Sequence, residues 1–166
     1  MKPLLIGQAP GPNTDPDMPL APFPRSSAGG RLAEFAELTP MEYLQLFDRT
    51  NLLQAFPGRT KRDDKWPAGH ASIAAAAMKP LLGGRTLILV GRNVAEAFGY
   101  PAQHLDFHEW FFDPKWQYKV SVVPHTSGRS HWYRRPENME LAKNYWKKVK
   151  DDLRGLQIVL EIIEKV

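Results

Sequence analysis

The sequence predicts an α/β protein, a three-layer α/β/α sandwich with a mostly parallel central sheet. Short apolar runs alternate with helical stretches, which is the order that gives parallel strands covered by helices. Residues 86–90 are apolar almost without interruption, as strands buried on both faces are. The length of 166 residues and a hydrophobic share of 43% predict a single domain over residues 1–166.

Each element is predicted from its periodicity and from the residues that end it. The strands are short apolar runs bounded by Gly, Pro or polar residues, and cover residues 2–6, 50–53, 86–90 and 118–123. The helices show apolar residues at helical spacing, and cover residues 31–38, 40–47, 71–82, 93–98 and 136–153, with a terminal helix to residue 166. A long Pro/Gly-rich loop spans residues 8–30. The buried stripe of the last long helix is predicted to contain Leu141, Tyr145, Val149 and Leu153.

Polar loops follow three of the predicted strands, after Ile6, near Asn51 and after Val123. In open parallel sheets, ligands bind outside the carboxyl ends of the strands. The three loops are therefore expected to converge on one site.

Composition excludes several classes of protein. The chain has no cysteine, which excludes disulfides, a thiolate nucleophile, and cysteine-ligated zinc or iron–sulfur sites. Its apolar stretches are far shorter than the roughly 20 residues that a membrane span needs, and its N-terminus turns polar too early for a signal peptide. We expect a cytoplasmic protein with no membrane contact.

Charge is distributed unevenly along the chain. Residues 1–58 carry 4 Lys/Arg and 6 Asp/Glu, whereas residues 59–166 carry 18 Lys/Arg and 12 Asp/Glu. Residues 114–136 contain no acidic residue, and their cations, interleaved with Trp and Tyr, are Lys115, Lys119, Arg129, Arg134 and Arg135. Cations beside stacking rings suit a phosphate backbone and unstacked bases. The pattern favours a nucleic-acid partner, with a solvated basic surface as the alternative.

Two short motifs follow strands. Residues 7–12, Gly-Gln-Ala-Pro-Gly-Pro, place small residues where a ligand could approach the backbone, but lack the Gly-Lys-Ser/Thr ending of a P-loop. Residues 125–130, His-Thr-Ser-Gly-Arg-Ser, place an imidazole and hydroxyls directly after the last strand.

These motifs together resemble those of the uracil-DNA glycosylase superfamily. Gly-Gln-Ala-Pro-Gly, then Thr50-Asn51, then His-Thr-Ser-Gly-Arg-Ser follow the family's order, and the first motif is most similar to the G-E-A-P-G branch. Phe23, residues 28–32 and residues 87–99 are similar to further segments of that branch. The resemblance covers most of the chain and implies a uracil-DNA glycosylase-like fold, a nucleotide flipped out of DNA and hydrolysis of its glycosidic bond.

The resemblance implies three catalytic residues, Gln8, Asp15 and His125. His125 would donate a hydrogen bond to the base as negative charge builds on it. Gln8 cannot act as a general base, so it would position water, and Asp15, Asp17 and Asn13 are the other candidates. Asp15 is the preferred one of the two carboxylates.

The resemblance also implies how the base and the DNA are held. Phe23 would stack on the base, Asn51 would read its Watson–Crick edge, and Ala9 would leave room beside it. Arg129 stands where relatives carry a wedging Leu. The residues implied on the DNA face are Ser127, Arg129, Ser130, Tyr133, Arg134 and Arg135, with Thr126 as a further phosphate ligand.

The chain departs from the family in two places. Ala9 stands where several branches carry a water-activating Asp or Asn, and Gln8 replaces the Glu of the closest branch. That branch also binds an iron–sulfur cluster through four cysteines, which this chain lacks, so no cofactor is expected. Either the fold is stable without the cluster, or the chain is related to another branch that has none. His104 and His108 lie four residues apart, as metal ligands on one helix face can, but their aromatic neighbours favour packing and no metal is expected.

The sequence thus predicts a monofunctional DNA glycosylase of base excision repair, with uracil as the first choice of substrate, in double- or single-stranded DNA. One alternative is a glycosylase for a modified pyrimidine in phage DNA, for which Ala9 and Gly11 leave space. The other is a module that binds DNA or a flipped base without cleaving it, which Gln8 and Ala9 favour. We expect a nucleoid-associated monomer.

Overall fold

A computed structural model describes residues 1–127 and 130–166 and contains a five-stranded mixed sheet. Its strands are β1 (Leu4–Gly7), β2 (Asp48–Asn51), β3 (Thr86–Val90), β4 (Trp110–Asp113) and β5 (Tyr118–Val123). The α-helices are α1 (Ala28–Phe35), α2 (Pro40–Leu46), α3 (Ala68–Met78), α4 (Arg92–Ala97) and α5 (Pro136–Glu164). Short 3-10 turns cover Lys79–Leu81, Ala102–His104 and Trp132–Arg134.

The strand order is β2-β1-β3-β5-β4, and only the β4–β5 pair is antiparallel. The α/β class and the mostly parallel sheet predicted from the sequence are therefore confirmed. Parallel pairing brings the carboxyl ends of β1, β2, β3 and β5 to one edge, which we call the carboxyl edge. Gly7 pairs there with Asn51, and Val90 with Val123.

Alternate strand residues pack into two apolar clusters, because successive side chains of a strand point to opposite faces. Ile6 and Leu89 belong to the cluster that also contains residues of α3 and α4. Leu5 and Ile88 belong to the cluster that contains residues of α1, α2 and α5. Helices thus cover both faces, an arrangement compatible with a three-layer α/β sandwich.

Helix α1 begins three residues earlier than predicted because two glycines allow the preceding loop to pack against its first turn. A Cβ on Gly29 would lie 2.1 Å from the carbonyl oxygen of Leu20, and one on Gly30 would lie 2.5 Å from that of Pro24. Ser27 caps the helix by accepting a hydrogen bond from the Gly30 amide at 3.0 Å. This contact fixes part of the long loop that leaves the carboxyl edge.

Helix α5 differs from the prediction in its length and in its buried face. It continues without a break from Pro136 to Glu164, where two helices were expected. Leu141 is 56% exposed, so its place in the predicted stripe is wrong. The fully buried positions include Ala142 and Trp146. Among the described residues, neither α5 nor any other helix is apolar enough over its length to cross a membrane.

Candidate functional site

The carboxyl edge carries a cavity of about 370 Å³. Its walls come from the segments that follow β1, β3 and β5, and the lining residues are Gln8, Arg92, Asn93, Phe107, Pro124, His125, Ser130 and Trp132. Gln8 from the first motif and His125 from the second therefore line the same space, although 117 positions separate them in the sequence. Parallel pairing of β1, β3 and β5 produces this convergence.

Gly91 lies between the two motif residues at the end of β3. A Cβ built on it would lie 3.4 Å from Nε2 of Gln8 and 3.4 Å from Cδ2 of His125. The Gln8 and His125 atoms are therefore no more than about 7 Å apart. Its φ of 102° is in the region that favours glycine, and its amide donates to the Val123 carbonyl at 2.8 Å. Any side chain at this position would be strained by this φ, and its Cβ would be in contact with both motif residues.

His125 is held in one tautomer. Its Nδ1 accepts a hydrogen bond from the Ser127 amide at 3.0 Å, so the hydrogen of the neutral ring is on Nε2. Burial lowers the pKa of His125, and the carboxylate of Asp64 acts in the opposite direction on that pKa. Since burial dominates, the ring is a neutral imidazole that offers an N–H donor.

Asp64 was missed by the sequence analysis. It lies in the loop between β2 and α3, residues 52–67, where it forms an ion pair with Arg59 at 3.2 Å. Its influence on the pKa of His125 places its negative charge within electrostatic reach of the imidazole. The position of this loop, directly after a strand that ends at the carboxyl edge, is the signal that could have identified it.

Asn51 ends β2 beside Gly7 and does not line the cavity itself. It is only 5% exposed, and among the described residues its Oδ1 has no hydrogen-bond partner. A Cβ on Gly7 would lie 2.5 Å from that oxygen. An unpaired buried acceptor costs about 1–3 kcal/mol, which makes Asn51 a candidate for contact with a ligand that donates an N–H.

Three other predicted site residues lie outside the cavity lining. Phe23 is 56% exposed. Ala9 is half-buried next to Gln8. Asp15 is exposed, and its Oδ1 accepts the Asp17 amide at 2.9 Å, a local turn that is common for Asp in loops.

The loop after β5 contains most of the predicted DNA contacts. Ser130 lines the cavity, and Ser127 is half-buried below it. Thr126 is buried and donates to the Ala28 carbonyl at 2.8 Å, so it anchors the loop to α1 and its hydroxyl is directed inward. Arg129 lies outside the described residues.

Tyr133, which the resemblance implies on the DNA face, has a buried ring. It is 9% exposed, stacks on Phe35 at 4.4 Å and donates its hydroxyl hydrogen to the Pro124 carbonyl at 2.7 Å. It therefore supports the loop that carries His125. Arg134 and Arg135 are exposed.

The structure divides the basic and aromatic stretch 114–136 between two edges of the sheet. Lys115 and Trp116 lie in the turn that precedes β5, and Tyr118 is buried. The six residues of β5 separate this turn from His125 by about 20 Å at the usual rise of a strand. Arg92 is the cation in the described lining of the cavity. The loop of residues 52–67, which follows β2 at the carboxyl edge, adds the exposed cations Arg59, Lys61, Arg62 and Lys65.

No protein-family model and no curated protein matches the chain. The resemblance to the uracil-DNA glycosylase superfamily therefore depends on the motifs themselves.

His104 and His108 do not share a helix face, because the 3-10 turn ends at His104 and His108 has a φ of 68°. The His108 ring lies 5.1 Å from that of Trp132 and 5.0 Å from that of Tyr145. Neither of its nitrogens has a hydrogen-bond partner among the described residues. Burial lowers the pKa of His108 to about 4. The structure thus places His108 in an aromatic cluster under Trp132, which lines the cavity.

Acid is expected to destabilise the fold through His108. Since its pKa is about 4 in the folded chain and near 6.5 unfolded, the unfolded state binds a proton first as the pH falls. Above about pH 6.5 the histidine is neutral in both states and does not affect the free energy of unfolding. Below that pH the free energy of unfolding declines, and at pH 4.5 it is lower by about 2–3 kcal/mol. Urea unfolding of wild type and His108→Phe at pH 7.5 and 4.5 measures this. The exposed His104→Phe is the control, and equal pH dependence in all three proteins would contradict the expectation.

Proposed function

We propose that this protein hydrolyses the N-glycosidic bond of a pyrimidine flipped out of DNA, with uracil as the first substrate to test. One observation carries the proposal, the neutral His125 whose Nε2 hydrogen is fixed by the Ser127 amide and whose ring shares a cavity with Gln8. A donor prepared in this way can stabilise the negative charge that develops on the oxygen of a leaving base.

The cavity favours a reaction driven by the leaving group. None of the described residues that line it is a carboxylate. Bond breaking is therefore assisted mainly at the base, by the hydrogen bond from His125. The Gln8 amide orients the attacking water through hydrogen bonds. The negative charge of Asp64, which acts on the pKa of His125, favours the positive charge that grows on the sugar.

Recognition of the base and of the DNA uses groups around the cavity. The unpaired Oδ1 of Asn51 accepts a hydrogen bond from the N–H on the Watson–Crick edge of a uracil-like base. Exposed Arg134 and Arg135 on one side, and the basic loop of residues 52–67 on the other, bind phosphates on the two flanks. The proposal therefore includes a salt-dependent affinity for DNA.

A non-catalytic module that binds a flipped base is the second candidate, favoured by the absence of a carboxylate from the described cavity lining. A modified pyrimidine as the true substrate is a variant of the main proposal.

A panel of labelled oligonucleotides tests the proposal. Each contains one uracil, hypoxanthine, mismatched thymine or modified pyrimidine, in single- and double-stranded form, and alkali cleaves any abasic site produced. Wild type, His125→Ala and Asp64→Asn are compared, and fluorescence anisotropy measures binding separately. Cleavage at one pyrimidine that is strongly reduced in His125→Ala supports the proposal. Binding without cleavage across the panel would favour the module instead, and cleavage unaffected by His125→Ala would overturn the mechanism.

A further inference from the structure

The end of α5 extends beyond the packed part of the domain. Every residue from Arg154 to Val166 is exposed, and the helical part of this segment, to Glu164, is about 16 Å long at the rise of an α-helix. Seven of these 13 residues are apolar, namely Leu156, Ile158, Val159, Leu160, Ile162, Ile163 and Val166. Those within the helix are 48–63% exposed. An apolar surface of this density usually marks an interface.

The apolar spacing that buries α5 in its own domain continues into the exposed part. Ala142, Trp146 and Val149 are buried and lie four and three residues apart. The alternation of four and three then continues through Leu153, Leu156, Leu160 and Ile163. A sustained alternation of this kind specifies packing against another helix in coiled-coil fashion. The core of the domain, which includes strand residues such as Ile88, covers this stripe only as far as Leu153, which is half-buried.

The exposed segment is also a weak helix by itself. Helices of about 12–15 residues are marginal in water without tertiary packing. Gly155 weakens this one further, since glycine inside a helix costs about 0.5–1 kcal/mol relative to alanine. No described atom lies within 4 Å of a Cβ built on Gly155, so close packing does not require a glycine there. The helix therefore needs a partner to cover its apolar face.

The spacing matches a second copy of the chain running antiparallel. Two antiparallel copies can be placed so that residue 158 of one lies level with residue 158 of the other along the helix axes. Leu153 then faces Ile163 of the second copy, and Leu156 faces Leu160. We call these four residues the seam, and each of them meets an apolar residue. The same alignment brings Lys150 near Glu164 of the second copy, which pairs opposite charges on one flank. The two domains then lie at opposite ends of the pair and do not compete for the same space.

We propose that residues 153–163 of α5 form an antiparallel helix pair with the same segment of a second copy, which makes the protein a two-fold symmetric dimer. Two-fold pairing is the commonest oligomeric symmetry and buries the same patch on both partners. The proposal replaces the monomer expected from the sequence and is independent of the proposed function.

Sedimentation velocity of the full chain over a range of concentrations tests the dimer. Wild type is expected to sediment with twice the mass of one chain at high concentration. Leu160→Glu places a charge in the seam of both copies and is expected to weaken the dimer about a hundredfold. Ile158→Glu is the matched control, because Ile158 is similarly exposed, at 57%, but lies outside the seam. A monomeric wild type, or equal weakening by both variants, would overturn the proposal.

Cysteine cross-linking tests the direction of pairing, because the natural chain has no cysteine. Under mild oxidation, a mixture of the Leu156→Cys and Leu160→Cys proteins is expected to form a disulfide-linked dimer faster than either protein alone. Faster cross-linking of each variant with itself would indicate parallel helices and contradict the proposed register. Both positions are exposed, and circular dichroism verifies that the variants remain folded.

Discussion

Replacing His125 by alanine is expected to lower kcat/KM for base excision about 10²- to 10³-fold, while affinity for DNA changes by less than about threefold. The loss corresponds to one hydrogen-bond donor that acts on the charge of the transition state. DNA binding is maintained because the exposed cations around the cavity, such as Arg134 and Arg135, do not depend on the imidazole. Single-turnover cleavage and anisotropy measure the two effects separately.

Two further variants make the test specific to the hydrogen bond. His125→Gln retains a side-chain N–H and is expected to retain part of the activity. His131→Ala removes an exposed histidine six positions away and is expected to cleave normally. Equal losses for His125→Ala and His131→Ala would contradict a specific role for His125.

The pH profile should agree with a neutral His125. Because burial places the pKa of His125 below its ordinary value, cleavage is expected to be constant above about pH 6.5 and to fall only in acid. Protonation of Nδ1 would break the hydrogen bond from the Ser127 amide and change the orientation of the ring. Activity that rises as the pH falls through this range would contradict a neutral donor.

The parallel strands could be predicted because each is a short apolar run between clear breakers. β4 was missed, since Trp110, Phe111 and Phe112 are consecutive aromatic residues with no alternation. Phe112 is 57% exposed, so β4 is an edge strand whose pairing with β5 determines its conformation. β2 lies earlier than predicted because its polar residues pair with β1 through their backbone, which apolar patterning does not report.

The convergence of Gln8 and His125 could be anticipated, because parallel pairing alone brings the ends of their strands together. The positions of Phe23 and Tyr133 could not, since contacts distant in sequence determine them. The loop that carries Phe23 is fixed where its backbone packs on Gly29. The Tyr133 side chain is directed inward by its hydrogen bond to the Pro124 carbonyl and by its stacking on a ring of α1. Neither contact has a local signature in the sequence.

Asn51→Leu is expected to lower cleavage about 10²-fold and to leave the free energy of unfolding unchanged or raise it by about 1–3 kcal/mol. Leucine has the same branching as asparagine, although it is larger, and removes a buried oxygen that has no hydrogen-bond partner among the described residues. If Asn51 serves the ligand, the folded chain bears the cost of that oxygen until an N–H donor binds. Stability and activity should therefore change in opposite directions.

Asn138→Leu provides the comparison for stability. The Asn138 side-chain amide donates to the Trp132 carbonyl at 2.9 Å, so its loss is expected to destabilise the fold by about 1 kcal/mol. Urea unfolding of both variants, with single-turnover cleavage for Asn51→Leu, distinguishes the two roles. A purely structural Asn51 would lower stability as Asn138→Leu does and leave cleavage of the remaining folded protein intact. A more stable but inactive protein would show that the buried amide serves the ligand at the expense of the fold.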